Sequence, residues 1–146
     1  MKSLVIILSL VVLAACGNSS QSTGTNMTEE FLPVEKAFQF SSKQIDKNTV
    51  ELNWVIAEGY HLYKNKFEFS LSPETARIAD VSMPQGVMLD DKTFGKQETY
   101  KDQLSIQLKV KANDSKEELK LLTKYQGCSI KGLCYPPEKR TTEISI

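Results

Sequence analysis

The sequence predicts an all-β protein built as an antiparallel β-sandwich. Apolar residues recur at every second position in several short runs, turn-forming residues separate those runs, and only one stretch has a helical flavour. A residue run that alternates in this way has one face for a core and one for water.

Taken in order, the first candidate strand is the short Ala37 to Phe40. In the second, Val50, Leu52, Trp54 and Ile56 alternate with Glu51, Asn53 and Val55; Trp54 is in phase with Leu52 and Ile56, so it is read as core. Phe67, Phe69 and Leu71 alternate with Glu68 and Ser70, and a shorter candidate follows at Arg77 to Ser82. The pattern returns at Leu104, Ile106, Leu108 and Val110, again at Leu119, Leu121 and Tyr125, and last at Thr141 to Ile146. Between Asp114 and Leu122, Ser115, Glu118 and Leu119 suit a capped helical turn, but the Leu119/Leu121 alternation favours a strand. Turn signals fall at Asp46 to Asn48, Glu58-Gly59, Ser72-Pro73, Pro84 to Gly86, Gly95 and Asn113-Asp114.

The N-terminus is of another kind. Met1 and Lys2 precede an apolar run from Leu4 to Leu13 and the small Ala14 and Ala15, the layout of an export signal and too short to span a bilayer as a mature helix. Leu13-Ala14-Ala15-Cys16-Gly17 resembles a bacterial lipobox, in which the cysteine becomes the lipid-modified first residue. The expected organisation is therefore a signal peptide over 1–16 ending at a lipidated Cys16, a polar tether over 17–28 and one folded domain over 29–146. A tether of about a dozen flexible residues reaches roughly 20 Å, enough to keep the domain near a membrane surface. Acidic and basic residues balance at 18 each, which argues against nucleic acid or any strongly charged partner.

Setting Cys16 aside as an anchor leaves one cysteine pair, Cys128 and Cys134, which can bond to each other in an oxidising compartment. A ring that small stabilises a fold by only about 2 to 2.5 kcal/mol. On the residues alone the pair reads first as a structural staple in a ligand-binding or structural lipoprotein, since most lone pairs in exported sandwiches are of that sort. Its surroundings favour exchange: Gly127, Ser129, Lys131, Gly132, Pro136 and Pro137 are turn-forming residues, and exposed bridges are the exchangeable ones. Met83 and Met88 flank a turn, but without a histidine cluster no metal site is expected, and no cofactor either.

The segment Tyr125-Gln126-Gly127-Cys128, five residues, then Cys134-Tyr135-Pro136-Pro137-Glu138 resembles the N-terminal periplasmic domain of the DsbD family of thiol–disulfide interchange proteins. The likeness continues through Phe31 to Pro33 with Ala37 and Phe38, Gly59-Tyr60 with Leu62 to Lys64, Ile78 to Val81, Pro84 to Val87, and Gly95-Lys96 with Tyr100 and Asp102. The resemblance implies an immunoglobulin-like sandwich with a redox-active disulfide. It also implies a thioredoxin-like reductant domain or DsbD-type transmembrane protein as donor. Periplasmic thioredoxin-fold proteins, namely disulfide isomerases and cytochrome c maturation thioredoxins, are the implied acceptors. Cys128 and Cys134 are then the redox pair, and Cys134 is the sulfur that forms the mixed disulfide.

The resemblance further implies a mobile cap loop at Asp90 to Gly95, with an aromatic residue shielding the disulfide. Thr93 stands where that aromatic is expected and Phe94 follows one residue later, so the shield falls on one or the other. Asp91 is expected near the sulfurs, where a carboxylate disfavours a thiolate. Tyr60 and Tyr63, on two sides of a strand start, are expected to line the site together with Tyr135 of the motif, and His61 to be a solvated strand residue. No transmembrane or thioredoxin-like domain is visible in the sequence, so the donor is expected to be a separate protein unless this chain is a fragment. The expected location is the periplasmic face of a bacterial membrane, anchored through Cys16.

Overall fold

A computed structural model describes residues 31–113 and 118–145. The expected signal peptide, the lipidated Cys16 and the tether lie outside the described residues, as do residues 114–117 of the one ambiguous stretch and the final residue 146.

The described chain forms three antiparallel sheets. The first has the order β1 (Phe38–Asp46), β2 (Thr49–Ile56), β8 (Gln103–Lys111), β5 (Arg77–Ser82). The second runs β10 (Gly127–Ser129), β3 (Tyr60–Tyr63), β7 (Gly95–Tyr100), β6 (Val87–Asp91), and the third β11 (Glu138–Ser145), β9 (Glu118–Tyr125), β4 (Glu68–Ser72). One helical turn, Val34–Ala37, precedes β1, so Ala37 opens no strand; its N–H and that of Lys36 both donate to the Pro33 carbonyl.

The long strands behave as their alternation requires. Along β2 the residues Val50, Leu52, Trp54 and Ile56 are buried, and along β8 Leu104, Ile106, Leu108 and Val110 are buried, with Leu52 opposite Ile106 and Val50 opposite Leu108. Leu119, Leu121 and Tyr125 of β9 and Ile144 of β11 complete the same core, in which Trp54 meets Tyr125 edge-on at 5.4 Å. The ambiguous stretch is strand from Glu118 onward, because Leu119 and Leu121 pair with Ile144 and Thr142 of β11. β11 starts at Glu138, three residues before the predicted Thr141.

The second sheet is the one the alternation does not announce. Its strands are short, and all four residues of β3 are buried: Tyr60 and Leu62 pack in the core on one face, and His61 and Tyr63 lie under the β6–β7 tip on the other. Leu62 joins the common core from this sheet. The sheet's other contribution is to carry the cysteine motif and the β6–β7 hairpin to one corner of the sandwich.

Candidate functional site

β10 lies against β3 with Gly127 opposite Leu62, Cys128 opposite His61 and Ser129 opposite Tyr60. Only glycine permits this approach: a Cβ at Gly127 would come within 2.5 Å of both the His61 carbonyl oxygen and Phe38 Cζ. Pairing also corrects the expectation of exposed turns, since Gly127, Cys128 and Ser129 are all buried, while Lys131, Gly132, Pro136 and Pro137 are exposed.

Cys128 and Cys134 form a disulfide with a Cα–Cα distance of 4.0 Å. The backbone holds the ring closed on itself: Ser129 N–H donates to Leu133 O (2.7 Å), Gly132 N–H to Ser129 O (2.9 Å) and Tyr135 N–H to Gly127 O (3.0 Å). The two sulfurs belong to unlike residues, for Cys128 is 1% exposed whereas Cys134 is partly open to solvent. A cleft of about 130 Å³ opens onto both; His61, Leu89, Asp91, Thr93 and Ile130 are among the residues that line it.

The far wall of the cleft is the tip of the β6–β7 hairpin, a strand pair rather than a free loop, with Asp91 opposite Gly95. Asp91 Oδ1 accepts the N–H groups of Thr93 (2.7 Å) and Phe94 (2.9 Å), closing the turn, and Gly95 leaves it at φ 70°, a conformation glycine adopts without strain. Asp91 Oδ2 accepts the Tyr63 hydroxyl at 2.8 Å, and that same hydroxyl lies 3.2 Å from Cys128 Sγ. One phenolic proton thus faces a carboxylate and a sulfur. Burial alone would raise the Asp91 carboxyl, but the Phe94 N–H, the Tyr63 hydroxyl and the Thr93 N–H hold it below the ordinary value. The Tyr63 phenol is pushed up, first by burial and then by Asp91.

Thr93 and Phe94 divide the roles that the sequence left open between them. Thr93 lines the cleft over the disulfide. Phe94 meets Tyr63 edge-on at 5.3 Å and carries the Lys66 ammonium 4.9 Å over its ring.

His61 corrects the expectation of a solvated residue. It is 1% exposed, packed beneath Asp91 of the β6–β7 tip and against Tyr63, and neither ring nitrogen has a hydrogen-bond partner. Its Nε2 lies 3.9 Å from Asp91 Oδ2 and its ring meets Tyr63 edge-on at 4.9 Å. Burial lowers its proton affinity, Asp91 opposes that, and Lys101 adds to it. The signal for His61 was its spacing, two residues from Tyr63 and hence on the same face.

Tyr60 and Tyr135 are held away from the cleft, on the other face of β3. The Tyr60 hydroxyl accepts the Leu32 N–H at 2.7 Å, the Tyr135 hydroxyl donates to the Leu32 carbonyl, and both rings pack edge-on against Phe38. They fasten the N-terminal segment rather than line the disulfide. Leu89 and Ile130, which do line the cleft, carried no signal beyond being apolar; Ile130 is 66% exposed. Among the described residues no cluster of three or more His, Cys, Asp or Glu side chains is arranged to hold a metal.

A family model described as "Thiol:disulfide interchange protein DsbD, N-terminal" matches residues 28–146. The thiol:disulfide interchange protein DsbD of Escherichia coli O157:H7 is 41% identical over 116 residues, and that of strain K12 is 40% identical; each match covers 80% of this chain and 20% of the relative. The chain therefore spans about a fifth of the length of these curated relatives. Among solved structures, the reduced DsbD N-terminal domain of Neisseria meningitidis superposes with a TM-score of 0.71 at 31% identity, covering 81% of this chain and 92% of that one. The structure of a complex between the DsbD N-terminal and PilB N-terminal domains from the same organism matches at a TM-score of 0.62 and 28% identity, over 78% of this chain and 87% of that one. With the family model matched over residues 28–146, 41% identity to a curated member and the fold of a solved DsbD N-terminal domain, the chain belongs to the DsbD N-terminal family of thiol:disulfide interchange proteins.

Proposed function

We propose that this chain is an extracytoplasmic protein-disulfide reductase component. In this reading it is lipid-anchored through Cys16 at the periplasmic face of a bacterial membrane and relays electrons from a thioredoxin-like or DsbD-type transmembrane donor to thioredoxin-fold acceptors. Disulfide isomerases and cytochrome c maturation thioredoxins are the acceptor class. The tether over 17–28 supplies the reach that such a relay needs.

The observation that carries the reading is the unequal exposure of the two sulfurs at an open cleft. A donor thiolate attacks the accessible Cys134 Sγ; the Cys128–Cys134 bond breaks, a bond from donor to Cys134 forms, and the electron pair leaves on Cys128. The donor's second thiolate then displaces Cys134, leaving the donor oxidised and this pair reduced. Delivery to an acceptor is the same sequence reversed, with the Cys134 thiolate as the attacking group. The solved complex of a related DsbD N-terminal domain with a PilB domain supports partner docking as the mode of action.

Trapping and potential test the reading. Cys128→Ser, with Cys134 retained, should accumulate a mixed disulfide with a thioredoxin-like partner, whereas Cys134→Ser should not. The wild-type disulfide should be in equilibrium with such a partner at a potential above about −300 mV. A bridge more reducing than that, or one inert to every thioredoxin-like reductant, would leave it a structural staple.

A further inference from the structure

We propose that His61 is a charge-compensating positioning residue of the exchange: as the disulfide opens, it takes up a proton and pairs with Asp91, freeing the Tyr63 hydroxyl for the Cys128 sulfur. This inference rests on the exchange reading above and deepens it.

The argument starts from a shortage of donors. In the oxidised protein the Tyr63 hydroxyl has one proton and two neighbours, Asp91 Oδ2 at 2.8 Å and Cys128 Sγ at 3.2 Å. A disulfide sulfur is a weak acceptor, so the carboxylate takes the proton. Opening the bond by attack at Cys134 places a negative charge on Cys128 Sγ, in a residue that is 1% exposed. Two anions then compete for one phenolic proton, and a buried anion without a donor is costly.

His61 is the group placed to relieve this. It stands opposite Cys128 in the β3–β10 pair and lines the same cleft as both cysteines. Its Nε2 is 3.9 Å from Asp91 Oδ2, just beyond hydrogen-bond length, and neither ring nitrogen is otherwise bonded. Burial keeps the ring neutral at rest. The charged and titratable groups around it are Tyr63 on its own strand, Cys128 on β10, Lys101 after β7, and Asp91 with Asp90 and Lys92 at the β6–β7 tip. Among these the only charge that changes on bond opening is the one on the sulfurs, and an added anion raises the imidazole's proton affinity. The proton comes from solvent through the cleft. Complete reduction of the disulfide takes two electrons and two protons: Cys134 receives one proton, and His61 holds the other while Cys128 stays a thiolate beside the Tyr63 hydroxyl.

The sequence contains a single histidine, so its ring C–H resonance reports this site alone. It should be titrated in the oxidised chain and again in the chain held reduced by dithiothreitol. The midpoint is expected to rise on reduction by about one unit or more, and an equal or lower midpoint overturns the inference. A second readout is the rate of reduction by dithiothreitol, corrected for the reagent's own thiolate, between pH 6 and 8. Wild type should show a step that His61→Gln lacks, and superimposable profiles overturn the proposal. Failure of dithiothreitol to reduce the bridge would defeat the exchange reading and this inference together, whereas ready reduction with an unmoved histidine defeats this inference alone.

Discussion

The face where β2, β8 and β9 meet and the corner built from β3, β6, β7 and β10 solve opposite problems. In the first, the buried phase of each strand is apolar except for Thr123 of β9, and the intervening side chains are half-buried or exposed. In the second, His61, Thr99 and Ser129 are buried polar residues, and the Asp91 carboxylate and the His61 imidazole line one cleft, with the Tyr63 phenol hydrogen-bonded to that carboxylate. The first region is stabilised by apolar area removed from water; the second is held by hydrogen bonds to Asp91 and by backbone pairing that glycine permits at Gly127. The difference teaches that stability and redox chemistry sit on different strands of one sandwich, so each should be breakable with the other left standing.

The largest effect is expected from Ile106→Ala, at a fully buried position opposite Leu52. It should cost about 2 to 5 kcal/mol of unfolding free energy, measured by denaturant titration. The rate at which dithiothreitol reduces the folded variant should stay at the wild-type value. Tyr63→Phe should do the reverse: stability falls by about 1 kcal/mol, while reduction slows roughly tenfold for want of the hydroxyl beside Cys128 Sγ. If Ile106→Ala altered exchange as strongly as Tyr63→Phe, the division between the two regions would fail.

That division also explains what could be read from the sequence. β2, β4, β8 and β9 cover alternate residues, and such burial writes itself as period two; β5 is exposed but for the half-buried Ile78, yet Arg77 to Ser82 is predicted with the observed ends. β3 has both faces covered, so Tyr60 to Tyr63 shows no alternation, and His61 between two tyrosines looks like a polar surface residue. Around β6 and β7 the sequence predicts only turn signals at Pro84 to Gly86 and Gly95 and a cap loop at Asp90 to Gly95, although the two strands form a regular hairpin. Cys128 and Cys134 were found from a motif, and that motif says nothing about which face of β3 it covers. Hence Tyr63 meets Cys128 Sγ while Tyr60 and Tyr135, equally aromatic, turn to the other face and grip Leu32.

A smaller effect should separate the regions by pH. His61 has an ordinary value of 6.5 and is lowered in the folded chain, so below pH 6.5 the unfolded chain binds the proton first. Stability is therefore complete above that value and is lost as pH falls from 6.5 through the depressed folded value. Asp91 is likewise lowered from 3.8, and its contribution is lost at more acid pH, as the solution falls from 3.8 through its folded value. The melting temperature of the oxidised protein should thus begin to fall as pH drops below 6.5, before the acid limb is reached. In His61→Gln that first decline should vanish, while the acid limb remains. An unaltered decline in the variant would move its origin away from the disulfide corner.

The smallest effects belong to the hairpin tip, where access to the disulfide is decided by side chains that contribute little to the fold. Phe94 is 37% exposed and packs on Tyr63, whereas Thr93 lines the cleft. Removing Phe94 should therefore act only through Tyr63: Phe94→Ala costs about 0.5 to 1.5 kcal/mol for the edge-on pair and changes dithiothreitol reduction by less than about twofold, a loss of under 0.5 kcal/mol in barrier height. Thr93→Phe places an aromatic ring over the cleft, where van der Waals contact excludes a small thiol, and Gly95 still allows the tip to swing aside for a protein. It should slow dithiothreitol several-fold and slow a thioredoxin-like partner less, with stability within about 0.5 kcal/mol of wild type. A strong acceleration in Phe94→Ala, with Thr93→Phe unchanged, would transfer the shield to Phe94. Unchanged rates in both would mean that the tip guards nothing, and that selectivity between small thiols and protein partners comes from the buried position of Cys128 alone.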